Sequence, residues 1–370
     1  MVTVTRLRLR DFRCYRTADV RLGDGLTVVH GPNGAGKTNL LEGLYFACTG
    51  RSCRASNERE VVRFGAPVAR AEADLLAPDG AHALSVGFQP GEPKRLRADG
   101  APVERLLDAS VRPLVAVFLP DRLELVKGAP ALRRGHLDQV VAGLWPARAA
   151  TRRAYAQALG QRNALLARVR AGAARDALRA WDLELARHGI ALRDDRARAV
   201  ALLADRFAAG AAELGLGGAA ELRYRPRTRA ATAEELAAEL GERLGADLER
   251  GFTTHGPHRD DLALLRDGRE LRTFGSQGEQ RLALLALLLA EREALDDERG
   301  APPLLLLDDV MSELDATRRD LLLRRAGGPG QVVVTTTDLA HVPGAGAPGV
   351  VRLRAEGGAI LQDAAAREAA

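Results

Sequence analysis

Lys37 and Thr38 end the run Gly31-Pro-Asn-Gly-Ala-Gly-Lys-Thr38, which follows the apolar stretch Leu26-Thr-Val-Val-His30. That spacing belongs to a loop whose backbone N–H groups wrap a triphosphate and whose Lys reaches the β- and γ-phosphates. Lys is rare in this chain: Lys37, Lys94 and Lys127 stand among 54 basic residues, the rest being Arg. At this composition the pattern should arise by chance only roughly 0.002 times per chain. Gly31, Pro32, Asn33, Gly34, Ala35, Gly36, Lys37 and Thr38 are therefore the expected nucleotide contacts, with Lys37 also catalytic. The segment from Asn39 to Ala47 reads as a helix, whose N-terminus would aim free N–H groups and positive dipole at the phosphates.

A second constellation lies far downstream. Leu304-Leu-Leu-Leu-Asp-Asp309 is an apolar strand ending in two carboxylates. Beside the phosphate-loop strand it would hold Asp308 where, with Thr38, it organises Mg²⁺. Asp309 is the second carboxylate of the pair. Upstream, Thr273-Phe-Gly-Ser-Gln-Gly-Glu-Gln-Arg281 precedes a helix, with Ser276 and Glu279 at the spacing of a capping box. A helix start of that kind is also an anion site.

The elements that must position these residues can be read from periodicity. Residues 2–10 alternate apolar and polar as a strand does, and Val20–Gly23 and Leu26–His30 continue a small sheet toward the phosphate loop. Residues 61–119 read as short strands with Pro/Gly turns, ending in Leu114–Leu119. From Trp145 to Leu214 Gly and Pro are sparse and Ala, Leu and Arg recur at helical spacing. That predicts two or three long helices, either an ordinary helical subdomain or a short antiparallel arm. Gly251–Leu265 reads as loop plus strand, Gln280–Leu295 as an amphipathic helix, and Pro303–Asp309 and Gln331–Thr336 as buried strands of the parallel type. The tail after Ala364 reads as frayed. The organisation expected is an ATPase lobe over 1–140 plus 251–370, interrupted by a helical lobe over 141–250.

Composition narrows the class. Hydrophobic residues make up 46% and charged residues 28%, as in folded soluble proteins. A net charge of +5 favours a polyanionic partner without demonstrating one. Cys14, Cys48 and Cys53 form no CxxC pair, so reduced thiols in a cytosol are the default. The N-terminus lacks a signal-peptide core, and the longest apolar run, Leu282–Ala290, is too short to cross a bilayer. A cytoplasmic protein without a membrane partner is expected. His255 and His258, with Gly-Pro between them, read as a structured loop rather than a metal site.

The segment around Ser276 is similar to the signature loop of ABC-type ATPases, in which a Ser and a Gly before a helix contact the γ-phosphate of a nucleotide held by another subunit. By that resemblance Ser276, Gly278 and Gln280 supply hydroxyl, backbone N–H and side chain, and Ser276 acts in catalysis. Ser312-Glu-Leu-Asp315 resembles the loop that crosses the dimer interface there, and Thr337 stands where most such proteins have a switch His. By the same resemblance Asp309 is catalytic, standing where most such proteins have the Glu that activates water. Being one methylene shorter, it implies slow hydrolysis and a long-lived ATP state.

Three stretches narrow the resemblance to the RecF family, related to the SMC-type ATPases. They are Leu9–Tyr15, Pro120–Pro130 with Arg133-Arg134 and Leu137-Asp138, and Leu307–Asp315 with Arg318-Arg319 and Leu322; His255–Asp261 agrees. The resemblance implies an α/β fold: an ABC-type P-loop head of mixed and parallel sheet with helices, and a second, mostly helical lobe forming a short arm. It implies ATP-driven homodimerisation and binding of single-stranded, gapped or duplex DNA. RecR with RecO would be partners, the outcome being loading of RecA, and Arg13 an ATP contact. Arg51, Arg54, Arg133, Arg134 and Arg259 are candidate DNA contacts, weighed against solvated charges and internal ion pairs. The other classes that share these motifs are the ATPase subunit of a membrane transporter and a chromosome-organising SMC-like ATPase. Roughly seventy helical residues folded as a hairpin reach at most about 50 Å, short for an SMC arm.

Overall fold

The computed structural model describes residues 1–55, 57–106, 109–119, 123–328 and 330–362. The frayed tail expected after Ala364, and Pro120–Arg122 of the family-like stretch, lie outside these. In chain order the elements are β1 (Thr3–Phe12), β2 (Tyr15–Arg21), β3 (Leu26–His30), α1 (Lys37–Thr49), β4 (Ala69–Ala77), β5 (Gly80–Phe88), β6 (Arg95–Ala98), β7 (Ala101–Pro102) and β8 (Val115–Phe118). Next come α2 (Glu124–Lys127), α3 (Pro130–Leu144), α4 (Ala149–Arg170), α5 (Asp176–Glu213), β9 (Ala220–Arg225), α6 (Ala233–Glu242), α7 (Leu244–Arg250), β10 (Asp261–Arg266) and β11 (Arg269–Glu270). The chain closes with α8 (Leu271–Phe274), α9 (Gln277–Arg299), β12 (Leu304–Leu307), α10 (Ala316–Ala326), β13 (Val332–Thr336), β14 (Val351–Glu356) and β15 (Ala359–Gln362).

Two compact units emerge, Met1–Arg122 with Leu295–Ala370, and Leu123–Ala294. Residues 123–140 and all of 251–294 thus fall in the second unit, whereas the sequence assigns them to the ATPase lobe. The first unit holds two sheets. One is antiparallel, in the order β2-β1-β4-β5-β6-β7; the other runs β15-β14-β3-β13-β12-β8 and is parallel from β14 to β8, with β15 antiparallel at its edge. Residues 20–23 and 26–30 therefore do not continue one sheet. The first segment ends β2 in the antiparallel sheet, whereas β3 enters the parallel one. The burial patterns carry the reason: β2 alternates buried and exposed, while Thr27, Val28 and Val29 of β3 are buried on both faces between two neighbours. One core spans both sheets and α1, joining Leu7, Leu9 and Phe12 to Leu40, Leu41 and Phe46 and to Leu306, Val333 and Leu353.

In the second unit the stretch from Trp145 to Leu214 forms two long helices, α4 and α5. The 38-residue α5 is lined by α4 and also by α3, α6 and β9, and buries Leu185, Leu192, Leu203 and Phe207. A three-stranded sheet, β11-β10-β9, completes this unit; its strand β9 was not anticipated. Helix α9 is not amphipathic in its middle, since every residue from Leu282 to Arg292 is buried. A nine-residue apolar run has no polar face to turn outward. No described helix is long and apolar enough to cross a membrane.

Candidate nucleotide-binding site

The loop after β3 adopts the conformations its glycines permit. Gly31 has φ 147° and lies so close to β14 that a Cβ would come within 2.3 Å of the Ala355 carbonyl oxygen. Gly36 has φ 107°, and a Cβ there would strike Cys14 Sγ and the Tyr15 hydroxyl, both at 2.7 Å. Tyr15 clamps this corner by donating to the Gly36 carbonyl at 2.9 Å. Between them Gly34 is also left-handed, the Ala35 N–H closes onto the Pro32 carbonyl at 3.3 Å, and Asn33 is exposed. Helix α1 starts at Lys37 with no side-chain cap and no acidic residue in its first turn. Its first N–H groups thus remain available to an anion.

Lys37 Nζ donates to the Gly31 and Pro32 carbonyls at 2.8 and 3.0 Å, so the loop's own backbone aims the ammonium across its concavity. Burial lowers the Lys37 pKa, opposed by Asp309 and then Asp308. Thr38 donates to both Asp308 oxygens at 2.9 Å, joining residues 270 positions apart. Asp308 also accepts from Thr335 Oγ1 at 2.7 Å, and the Asp309 N–H donates to the same Thr335 oxygen at 2.9 Å. Burial raises the Asp308 carboxyl, and hydrogen bonds from Thr335 and Thr38 partly offset it. Asp309 has φ 47°, and its Oδ1 is shut from solvent without a hydrogen-bond partner.

Those observations fit the expected ligand. A carboxylate held up by burial, beside a second carboxylate whose oxygen is enclosed and unpartnered, suits a divalent cation and a polarised water. Asp308 and Thr38 would hold Mg²⁺, while the Gly31–Thr38 backbone and Lys37 would hold the triphosphate.

The remaining site residues separate into engaged and bare. The Arg13 guanidinium forks onto fully buried Glu42 of α1, with both contacts at 2.8 Å. Ser52 donates to Glu42 at 2.5 Å, and Arg54 stands 3.9 Å from it. Arg51 and Arg54 are exposed beside this hub. In the second unit Ser276 and Glu279 form a reciprocal capping box, Ser276 N–H to Glu279 Oε2 at 2.7 Å and Glu279 N–H to Ser276 Oγ at 3.3 Å. Ser276, Gln277 and Gly278 are exposed. Gln280 turns inward instead: its amide donates to the Leu271 and Gly275 carbonyls at 3.0 and 3.2 Å, bracing the loop from behind. Thr337 lies one residue past β13, half-buried.

Arg133 is an internal ion-pair partner, 4% exposed and forked onto Asp261 at 2.8 and 2.9 Å. Arg134 donates to the Asp260 carbonyl, whereas Arg259 is exposed over the Phe252 ring. His258 bonds the Tyr155 hydroxyl at 2.7 Å and the Thr253 carbonyl at 2.9 Å, and His255 bonds Glu239. These histidines fasten a loop, and no metal-holding cluster occurs among the described residues. Sequence reasoning missed Thr335, Tyr15 and Glu42. Only the two Thr ending Val332–Thr336 offered a signal, because hydroxyls are unusual at the end of a wholly buried strand.

A family model described as an AAA domain matches residues 6–79. The DNA replication and repair protein RecF of Anaeromyxobacter sp. (strain Fw109-5) is 40% identical over 365 residues, covering 96% of this chain and 97% of that one. RecF of Myxococcus xanthus (strain DK1622) is 40% identical over 367 residues, 96% of each chain. A solved structure of the recombination mediator protein RecF with ATP, in the RecFOR pathway, matches with a TM-score of 0.88 at 26% identity over 98% of each chain.

Proposed function

This chain belongs to the RecF family of DNA replication and repair proteins, and from that premise we propose that it works as an ATP-driven switch on DNA. It is a RecF-like ATPase of DNA repair and recombination, and the whole-chain matches favour neither a transporter subunit nor an SMC-like organiser. ATP is its nucleotide, as in the matched structure. The observation that carries the switch reading is the joint among Thr38, Asp308 and Thr335, with the enclosed oxygen of Asp309 beside it.

The chain's own residues supply most of the chemistry. The loop backbone and Lys37 bind and orient the phosphates, and Thr335 fixes the Asp308 carboxylate and the Asp309 backbone N–H. Bound to Asp308 and Thr38, Mg²⁺ would neutralise charge on the phosphate oxygens. Asp309 accepts the proton of the attacking water, slowly because its reach is short. A second copy supplies Ser276 and the Gly278 N–H to the γ-phosphate, so ATP joins two protomers and hydrolysis parts them. Closure assembles a DNA-binding surface for single-stranded gaps or junctions. RecR with RecO are the partners, and RecA is loaded as the outcome.

Sedimentation of Lys37→Ala and Asp309→Asn with and without ATP tests the switch. The first should stay monomeric, and the second should hold the ATP-bound dimer. Identical assembly of both variants in both conditions would end this reading, as would ATP turnover on the order of 10 per second or faster.

A further inference from the structure

The outer face of the antiparallel sheet changes character along its strands. Arg6, Arg8 and Arg10 of β1 share that face, because Leu7 and Leu9 between them are buried. Opposite them on β4 stand Asp74, Glu72 and Arg70. The first two rungs neutralise themselves. Arg8 reaches Asp74 at 2.7 Å and Glu72 at 3.2 Å, and Arg6 reaches Asp19 of β2 at 2.6 Å. The third rung does not. Arg10 lies directly opposite Arg70 on one side and Thr17 on the other. Both arginines are exposed, and neither makes an ion pair or side-chain hydrogen bond among the described residues. Further along the rung Gly87 leads to Arg95, which is mostly exposed and meets Glu92 only at 3.4 Å.

Like charges directly opposite in a sheet destabilise it, their Cβ atoms being only about 5 Å apart. Two matched rungs followed by a mismatched one leave a local positive charge that an outside anion would relieve. The same end of the sheet bares apolar groups. Val68, two residues before Arg70, is 40% exposed, and Phe64 is 99% exposed. The Phe64 loop is tied beside Arg10: Arg63 donates from Nε to Asp11 Oδ1 at 2.7 Å and from its N–H to the Asp11 carbonyl at 2.9 Å. An uncovered aromatic ring beside unpaired guanidinium groups is the composition of a single-strand platform. There the cations follow the phosphates and the ring stacks on a base. A duplex keeps its bases inside the stack and offers the ring nothing.

We propose that Arg10, Arg70 and Phe64 form a docking site for single-stranded nucleic acid, with phosphates on the arginines and a base on the ring. This rests on the reading above of the chain as a DNA-binding protein, and adds the face and the strand form. The test uses the full chain and a labelled dT oligomer, beside a blunt duplex of equal length. Arg70→Glu converts the repulsive rung into an attractive one. Its thermal midpoint should hold or rise while affinity for the oligomer falls about tenfold or more and the salt slope flattens by about one to two. Phe64→Ala should weaken the oligomer about tenfold and leave the duplex within about twofold. Unchanged oligomer affinity in both variants, with the unaltered chain binding normally, overturns the assignment of this face alone. Equal loss of duplex and oligomer in Phe64→Ala overturns the single-strand assignment. Arg70→Glu is also assayed on immobilised polyglutamate, and loss of that capture with oligomer binding intact hands the face to an acidic polypeptide and overturns the proposal. An unaltered chain that binds no DNA overturns this proposal together with the reading beneath it.

Discussion

The phosphate loop and the signature loop each turn through glycine into a helix, yet their helix starts are finished differently. Helix α1 begins uncapped, with its first turn free of acids and Lys37 folded against the loop carbonyls. Helix α9 begins with two of its orphan donors, the Ser276 and Glu279 N–H groups, satisfied by the capping box, and a carboxylate already lies at its positive end. The first loop is prepared to receive an anion from solution. The second is stable alone, and because Ser276 Oγ accepts the Glu279 N–H at 3.3 Å, its own O–H can still donate to a phosphate. On the switch reading proposed above, one uncapped and one capped loop suit ordered assembly, nucleotide first and partner second.

Breaking the prepared half should have the largest effect. Lys37→Ala should weaken ATP binding about a hundredfold or more, measured by calorimetry on the monomer, because the phosphates lose their one lysine. Binding within a few-fold of the unaltered chain would erase the contrast between the loops.

Acid should loosen the second unit before the first. Burial takes the His258 pKa down to about 4, with Tyr155 and Thr253 holding the ring. The unfolded ring titrates near 6.5, so the unfolded chain takes up the proton first as pH falls. The stability held by the neutral ring is complete above pH 6.5 and declines toward pH 4, by on the order of 3 kcal/mol. His258→Gln should flatten that part of a urea-denaturation pH profile; an unchanged profile would remove His258 from the account.

Thr335→Val strips one hydroxyl that serves Asp308 and the Asp309 N–H. A stability loss of about 2 kcal/mol is expected, together with slower single-turnover hydrolysis. Normal hydrolysis would show that the carboxylates need no such brace.

Ser276→Ala is the mildest change to the monomer and the sharpest for the comparison. It should lower stability by about 1 kcal/mol through the lost cap and leave ATP affinity unchanged. ATP-dependent dimerisation in sedimentation should disappear. Dimers that persist would remove the hydroxyl from the interface.

Much of the first half-site was legible because it is local. Eight consecutive residues carry the phosphate loop, and an apolar run ending in Asp308 and Asp309 announces itself without knowledge of its neighbours. Thr335 escaped notice since its role depends on β13 lying between β3 and β12, an order no single segment encodes. The resemblance gives Gln280 a nucleotide contact, and its amide bonds the Leu271 and Gly275 carbonyls; spacing along a chain does not say which way a side chain points. For Arg133 the sequence leaves DNA contact, solvated charge and internal ion pair open, and Asp261, 128 positions away, makes it the last of these. The two compact units divide the chain differently from the lobes expected, since α3 packs on α5 and β10, and β10 pairs with β9.

By itself the sequence determined the chemistry carried by contiguous motifs: the phosphate loop, the paired carboxylates and the capped signature helix. Their signals are short-range, set by backbone freedom at glycine, helix-end donors and apolar runs. Only tertiary structure decided which charges are spent internally and which remain for a partner. Arg8 and Arg10 are equivalent on paper, yet β4 sets Glu72 across from one and Arg70 across from the other. Cross-strand register makes that choice, and register follows from the burial of whole sheet faces rather than from any residue's own identity.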